Sequence, residues 1–304
     1  MYFEGVDVTV AVWLLLVWGA LVGLVFSTVG AAGGILASVG MISVFGLQDP
    51  NLVKPMAQAM TLVTPLIAVP LYMRQCRVVF RLALLLGAGG VLGAVLGSSL
   101  SHWLLADMSL FKPVFAFLVF FIAAQLFWQV FRTASSTSEL SHTMRAADSF
   151  ERQVKGGGDL CEKGVQCIEA TFRRFVFLFG DEKFSFNPLL PLLTGLGIAV
   201  LSSALGVGGG FLLVPFMSIV MRLPMYVIAG TSALAIAIHS ITSITNYIRM
   251  GIELDLPMLA ILLCGVVAGS LLGPIVSKHV PENGLRGLLA GILVLIGLRY
   301  AGLF

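Results

Sequence analysis

"SSALGVGGGFLLVP", residues 202–215, sets three consecutive glycines inside an otherwise apolar stretch. Glycine is a poor helix former, and backbone in contact with lipid cannot leave its N–H and C=O groups unpaired. A break in such a place needs a reason. A weaker copy, "STVGAAGGILASV", occupies residues 27–39, so whatever the break does, the chain does it twice.

Around these stretches the composition is that of a membrane protein. Of 304 residues, 58% are hydrophobic and 11% charged, against about 25% charged in a soluble domain. Residues 8–48 carry no charge and suffice for two spans of roughly 20 residues. Residues 187–221 are also uncharged but fall short of two full spans, which predicts partial or broken helices. The opening "MYFEGVDV" holds Glu4 and Asp7 and no Lys or Arg. A secretory signal needs a basic start, so the reading is an uncleaved first span with its N-terminus outside. A net charge of +3 gives no reason to expect nucleic acid. Cys76, Cys161, Cys167 and Cys264 form no zinc-type pair and are read as free thiols.

The chain repeats internally. At an offset of 176, Ser27, Gly30, Gly33, Gly34 and Leu36 match Ser203, Gly206, Gly209, Gly210 and Leu212. Gly93 and Gly97 match Gly269 and Gly273, while Tyr72 and Arg74 match Tyr247 and Arg249 at an offset of 175. Each half then reads as five segments: 8–28, 33–47, 54–73, 80–102 and 111–131, then 188–205, 209–222, 224–248, 256–278 and 283–302. An odd number of crossings per half inverts the second half relative to the first, a device of many secondary transporters. The expected fold is an all-α polytopic membrane protein. It has about ten segments, arranged as two five-segment inverted repeats with discontinuous, glycine-broken helices. Its divisions are a first repeat (1–131), a cytoplasmic linker loop (132–187) and a second repeat (188–304). With the N-terminus outside, 14 basic residues fall inside and four outside, among the latter Lys54. A rival arrangement makes both glycine-led segments re-entrant, with eight crossings and 13 basic residues inside against five outside. Both put the central loop in the cytoplasm. That loop reads as a connector, with a short amphipathic helix around 139–154. Its second part, 173–186, is either a small hairpin turning at Gly180–Asp181 or an interfacial segment.

Two groups of residues carry candidate chemistry. In the first, Gly206, Gly208, Gly209 and Gly210 permit a tight bend within the bilayer, after which a new helix starts. The first N–H groups of such a helix are unpaired and its dipole end is positive, so it binds anions without a cationic side chain. Ser202 and Ser203 add hydroxyls, and Ser27, Thr28, Gly30, Gly33 and Gly34 offer the same in the first half. The alternative for glycine is close helix packing, the reading kept for Gly93, Gly97, Gly269 and Gly273. In the second group, Thr231, His239, Thr242 and Asn246 share one helical face, widened by Ser232. Polar groups at membrane depth turn to the bundle interior or a water-filled cavity. His239 is a candidate proton carrier or oxyanion donor, set against a plain structural histidine. Gln58 and Thr61 stand on the matching segment of the first half. No Asp or Glu lies well inside a span, which argues against metal ions and carboxylate-bound sodium. The expected ligand is a small anion or a neutral molecule held by backbone dipoles and hydroxyls, with no metal, no cofactor and no enzymatic chemistry.

These residues resemble the TauE/SafE family, the sulfite exporter or TSUP permeases. The likeness rests on "GVGGGFLLVP" (206–215), on "AGTSAL" (229–234) and on the degenerate "GAAGGILASV" (30–39). Ala32 stands where the pattern has a glycine and Val39 where it has the proline, which predicts a blunter first bend. The resemblance implies a permease of a bacterial-type inner membrane for sulfite or a sulfonate, its substrate flux possible with or without coupled protons. The alternatives are a non-transporting membrane subunit that anchors a partner, and an anion channel.

Overall fold

The computed structural model describes residues 1–3, 5, 8–29, 33–133, 145–146, 149–150, 164–171, 174–276 and 282–300. A small N-terminal ladder, β1 (Tyr2–Phe3) with β2 (Val8–Thr9), precedes helix α1 (Val12–Val29). Helix α2 (Gly33–Val39) runs into a π-helical turn, Gly40–Val44. Then come α3 (Pro50–Arg74), α4 (Phe80–Leu104) and α5 (Met108–Thr133). The second half has the same order: α6 (Leu189–Leu205), then α7 (Gly210–Pro215) with a π-turn at Phe216–Val220. It closes with α8 (Met225–Arg249), α9 (Leu256–Val276) and α10 (Glu282–Tyr300). A helix stands at each of the ten places that the apolar runs predict. Pro50–Arg74, Phe80–Leu104, Met108–Gln125 and Met225–Arg249 are each long and apolar enough to cross a membrane. The glycine-led α2 and α7 are not. With their π-turns they hold seven plus five and six plus five residues, or roughly 17 Å at 1.5 Å per residue against a core of about 30 Å.

The sequence repeat is written into the backbone hydrogen bonds. Phe45 N–H donates to Gly40 O at 2.9 Å, and Met221 N–H to Phe216 O at 3.2 Å. Leu47 reaches Met41 O and Leu223 reaches Met217 O, at 2.9 and 3.0 Å. All four obey the offset of 176. Pro215 helps to set the second turn, because a residue without an N–H cannot continue the i→i−4 ladder. After the long third helix of each half, Arg77 N–H donates to Tyr72 O and Ile252 N–H to Tyr247 O, at 3.1 and 3.2 Å, an offset of 175.

The halves interlock. Helix α1 packs along α9 and α4 along α6, each pairing being the other with the halves exchanged; α3 packs on α8 and α5 on α10. The first two contacts are backbone to backbone. A methyl group on Gly93 would overlap the Leu196 carbonyl, and one on Gly269 the Ala20 carbonyl. The packing role expected of these two glycines and of Gly97, which abuts Val200, is therefore what they have.

Two expectations need correction. Lys54 is not a loop charge outside the bundle: it is fully buried. Asp49 caps α3 by accepting from Asn51 N–H at 2.8 Å, with Pro50 in the first turn, so the helix starts before Lys54 and carries it inward. Its ammonium donates to Asn51 Oδ1 (3.1 Å), Ser101 O (3.3 Å) and Leu105 O (2.8 Å), satisfying the carbonyl end of α4. Secondly, Cys76 is disulfide-bonded, whereas Cys167 and Cys264 are free. The second part of the central loop takes up the hairpin expected of it and adds a third strand. β3 (Gln166–Ala170), β4 (Phe175–Phe179) and β5 (Glu182–Phe186) form an antiparallel sheet, turning at Gly180–Asp181 as the hairpin reading expects. Alternation along β4 buries Phe175, Phe177 and Phe179, which join Val79, Leu82 and Val227 in one apolar core. Most of the helix expected around 139–154 lies outside the described residues.

Candidate functional site

The glycine break is a real one. Helix α6 ends at Leu205, α7 begins at Gly210, and Gly206, Gly208 and Gly209 between them have φ of +74°, +79° and +70°. Three left-handed residues so close together are affordable only as glycine. Space demands it too. A β-carbon on Gly208 would lie 2.7 Å from Thr61 Oγ1, and one on Gly209 would lie 2.9 Å from His239 Nε2 and 3.2 Å from Ser202 Oγ.

The donors left over differ from those expected. The first turn of α7 is mostly spoken for: Gly210 N–H donates to Gly208 O at 2.9 Å, and Leu212 and Leu213 N–H both donate to Gly209 O at 3.2 Å. The N–H groups of Gly208 and Gly209, in the bend itself, have no acceptor among the described residues.

Around this bend the polar side chains are buried and short of partners. Ser202 Oγ, Ser203 Oγ, Gln58 Oε1 and both ring nitrogens of His239 are enclosed with no hydrogen-bond partner. Gln58 uses its amide on the Ser202 carbonyl at 3.2 Å, and Thr61 donates back to Gln58 O at 2.9 Å. Pro65 cannot donate to the Thr61 carbonyl one turn earlier, so α3 is loosened beside the bend. The first-half copy meets the second here: Gly34 abuts the Val207 carbonyl, with Thr61 Cγ2 3.1 Å from where its β-carbon would be. Gly33 instead faces Phe26, and Gly206 sits over Lys54, a β-carbon there falling 2.6 Å from the lysine Cα. Gly30 lies outside the described residues.

The polar face of α8 splits. His239 reaches the bend at Gly209. Thr231 Oγ1 accepts from Val79 N–H at 3.1 Å, and Thr242 donates to Ile238 O at 2.9 Å. Asn246 ties α8 to α4 through Ser98 Oγ (2.7 Å) and Ser99 Oγ (2.9 Å). Ser203 offers its carbonyl to the Tyr247 hydroxyl at 3.0 Å. Apart from the Thr242 bond, which lies within α8, these bonds tie helices to their neighbours.

Ser27, Thr28 and Ser232 belong to a second region, a cavity of about 560 Å³ that they line with Thr64 and Ser270. Ser27 and Thr28 donate to Leu24 O at 3.0 and 2.8 Å. Thr64 and Ser270 share a 2.8 Å hydrogen bond. The two regions are joined by helices: Thr64 follows Thr61 by one turn of α3, and His239 follows the cavity-lining Ile236 by one turn of α8.

Sequence reasoning gave no site role to the charged residue of this cavity. Arg77, counted only as a loop charge, lines it, with its guanidinium carbon 4.9 Å from the Tyr72 ring centre and 4.6 Å from that of Tyr226. Burial draws its pKa below the ordinary arginine value while the two tyrosines oppose this, and a guanidinium stays charged under such a shift. The signal lay in the sequence only as separate aromatic residues, Tyr72 and Tyr226, 154 positions apart.

A family model described as sulfite exporter TauE/SafE matches residues 15–300, nearly the whole chain. The chain therefore belongs to that family, and with its apolar helices it is an integral membrane protein of a transport family. No curated protein and no solved structure matches it.

Proposed function

We propose that this member of the sulfite exporter TauE/SafE family is a secondary transporter that moves a small sulfur-containing anion, sulfite or a sulfonate, by alternating access. The observation that carries the reading is the set of orphaned groups at Gly208 and Gly209. A buried polar atom without a partner costs about 1–3 kcal/mol, and here several of them converge. An oxyanion gives them partners. Its oxygens accept from the two glycine N–H groups, from Ser202 and from an N–H of His239. Gln58 Oε1 is an acceptor, so it suits a hydroxyl on the ligand or a water bound beside it. His239 is the group that carries a coupled proton, if protons are coupled.

The exchange of helix pairings between the halves supports two inverted five-segment repeats joined by the central loop, with the bends near the midplane. The short α2 and α7 act as half-helices that meet there. The orientation follows the loop charges, with the N-terminus outside and the central loop in the cytoplasm of a bacterial-type inner membrane. The Cys76 disulfide pulls the other way, since such bonds persist in oxidising compartments.

Flux of sulfite and of methanesulfonate into proteoliposomes tests the proposal. Gly208→Leu and Gly209→Leu should abolish saturable uptake in protein that still purifies as a folded species. Intact transport in both variants would sink the site. A conductance that does not saturate would mean a channel.

A further inference from the structure

The cavity that Arg77 lines has an end of unusual chemistry. Among its described lining residues Arg77 is the only charged one. The guanidinium is clamped between a ring from each half of the chain, Tyr72 on α3 and Tyr226 on α8. Its Nε donates to the Tyr226 carbonyl at 3.3 Å and its Nη1 to Gln75 Oε1 at 2.9 Å. Among the described residues Nη2 has no acceptor and no carboxylate pairs with the charge. The cation is thus held in place by two rings and two hydrogen bonds, while part of its donor fork is left unused.

A free guanidinium edge is suited to two oxygens of one anionic group, as in carboxylate or phosphate recognition. The rest of the wall sets a second condition. Phe26, Leu71, Val214 and Leu271 make much of it apolar, and its volume lies within the roughly 300–1,000 Å³ of small organic ligand pockets. A bare inorganic anion would leave that wall without a partner.

We propose that Arg77 is the anion-recognition residue of this cavity, and that the ligand is a small organic anion whose charged head pairs with Arg77 while its short apolar substituent lies on the Phe26–Leu71–Leu271 wall. As a station on the transport route this rests on the transporter reading; as a binding site it stands on its own geometry. Because Tyr72 and Tyr226 belong to different halves, the head is held where the halves meet, about three turns along α3 from Thr61 and nearly four along α8 from His239.

Calorimetric titration of the purified full chain in nanodiscs of neutral phosphatidylcholine tests it, with butanesulfonate, sulfite and the uncharged butanesulfonamide as probes. Wild type should bind butanesulfonate at least tenfold more tightly than sulfite and should not bind the sulfonamide measurably. Arg77→Gln should weaken butanesulfonate binding at least tenfold, and Arg77→Lys, which keeps charge without the fork, by less. Equal affinity of wild type and Arg77→Gln overturns the inference, as does a wild type that binds none of the probes. Loss of sulfonate binding in nanodiscs containing anionic phosphatidylglycerol would also overturn it, by making the cavity a lipid headgroup site. Flux separates this from the transporter reading. Binding through Arg77 without flux removes transport and leaves the site, whereas flux with an unchanged KM in Arg77→Gln removes the site and leaves transport. If Arg77→Gln does not fold, Tyr72→Leu, which strips one wall of the clamp and leaves the charge, should weaken butanesulfonate binding, and unchanged affinity there counts against the proposal.

Discussion

The α-carbon of Gly34 lies against the carbonyl of Val207, so closely that a methyl group at position 34 would overlap the Val207 oxygen. One glycine stretch is thus seated in the other. The contact joins the first short helix of one half to the bend of the other, 173 residues away in the chain.

Gly34→Ala should therefore push the two bends apart. Overpacking of this kind costs about 1–3 kcal/mol, and the displaced bend should lower sulfite or sulfonate flux at least tenfold. Gly197→Ala is the control. Nothing stands within 4 Å of its added methyl, so stability should hold or rise by up to about 1 kcal/mol through helix propensity. Thermal unfolding in detergent compares the two, and equal midpoints would contradict the close approach.

His239 is buried with neither ring nitrogen partnered. Replacing it with leucine removes two unsatisfied atoms, so ligand-free protein should gain stability of the order of 1 kcal/mol. The same variant should lose saturable uptake. A histidine that only holds the fold would show the reverse: lower melting temperature, with transport retained per folded molecule.

Asn246 is on the same face of α8 but bonds Ser98 and Ser99 of α4. Asn246→Ala should cost roughly 1–3 kcal/mol and leave the KM for the transported anion unchanged. A raised KM with an unchanged melting temperature would move Asn246 back into the site.

Cys167 is free and exposed at the start of the central sheet, close to Cys76, whose carbonyl accepts from Val165 N–H at 2.8 Å. It reports which side of the membrane this face occupies. With the loop in the cytoplasm, a membrane-impermeant maleimide should label Cys167 in inverted vesicles and not in intact cells. Labelling of intact cells would reverse the proposed orientation and agree with the Cys76 disulfide.

Much was legible before any coordinates, and for a local reason. An uncharged run long enough to span, or a glycine cluster within one, expresses its preference for lipid or for a bend in whatever neighbourhood it finds. That is why helices stand at all ten expected places, and why the repeat seen in Gly33, Gly34, Gly209 and Gly210 returns as paired π-turns at Gly40 and Phe216. The hairpin at Gly180–Asp181 was readable on the same terms.

Helical spacing likewise put Thr231, His239, Thr242 and Asn246 on one face, but a face has no neighbours until the bundle forms. Only packing decided that His239 meets Gly209 while Asn246 meets α4, and that Lys54 turns inward to the carbonyl end of α4. Likewise it decided that two distant tyrosines close on Arg77. The sequence by itself determined where the chain enters an apolar phase and where it breaks, because those follow from the transfer and backbone energies of consecutive residues. Which polar groups share a buried space was decided by the tertiary structure alone, because that depends on side chains more than a hundred residues apart being pressed into contact.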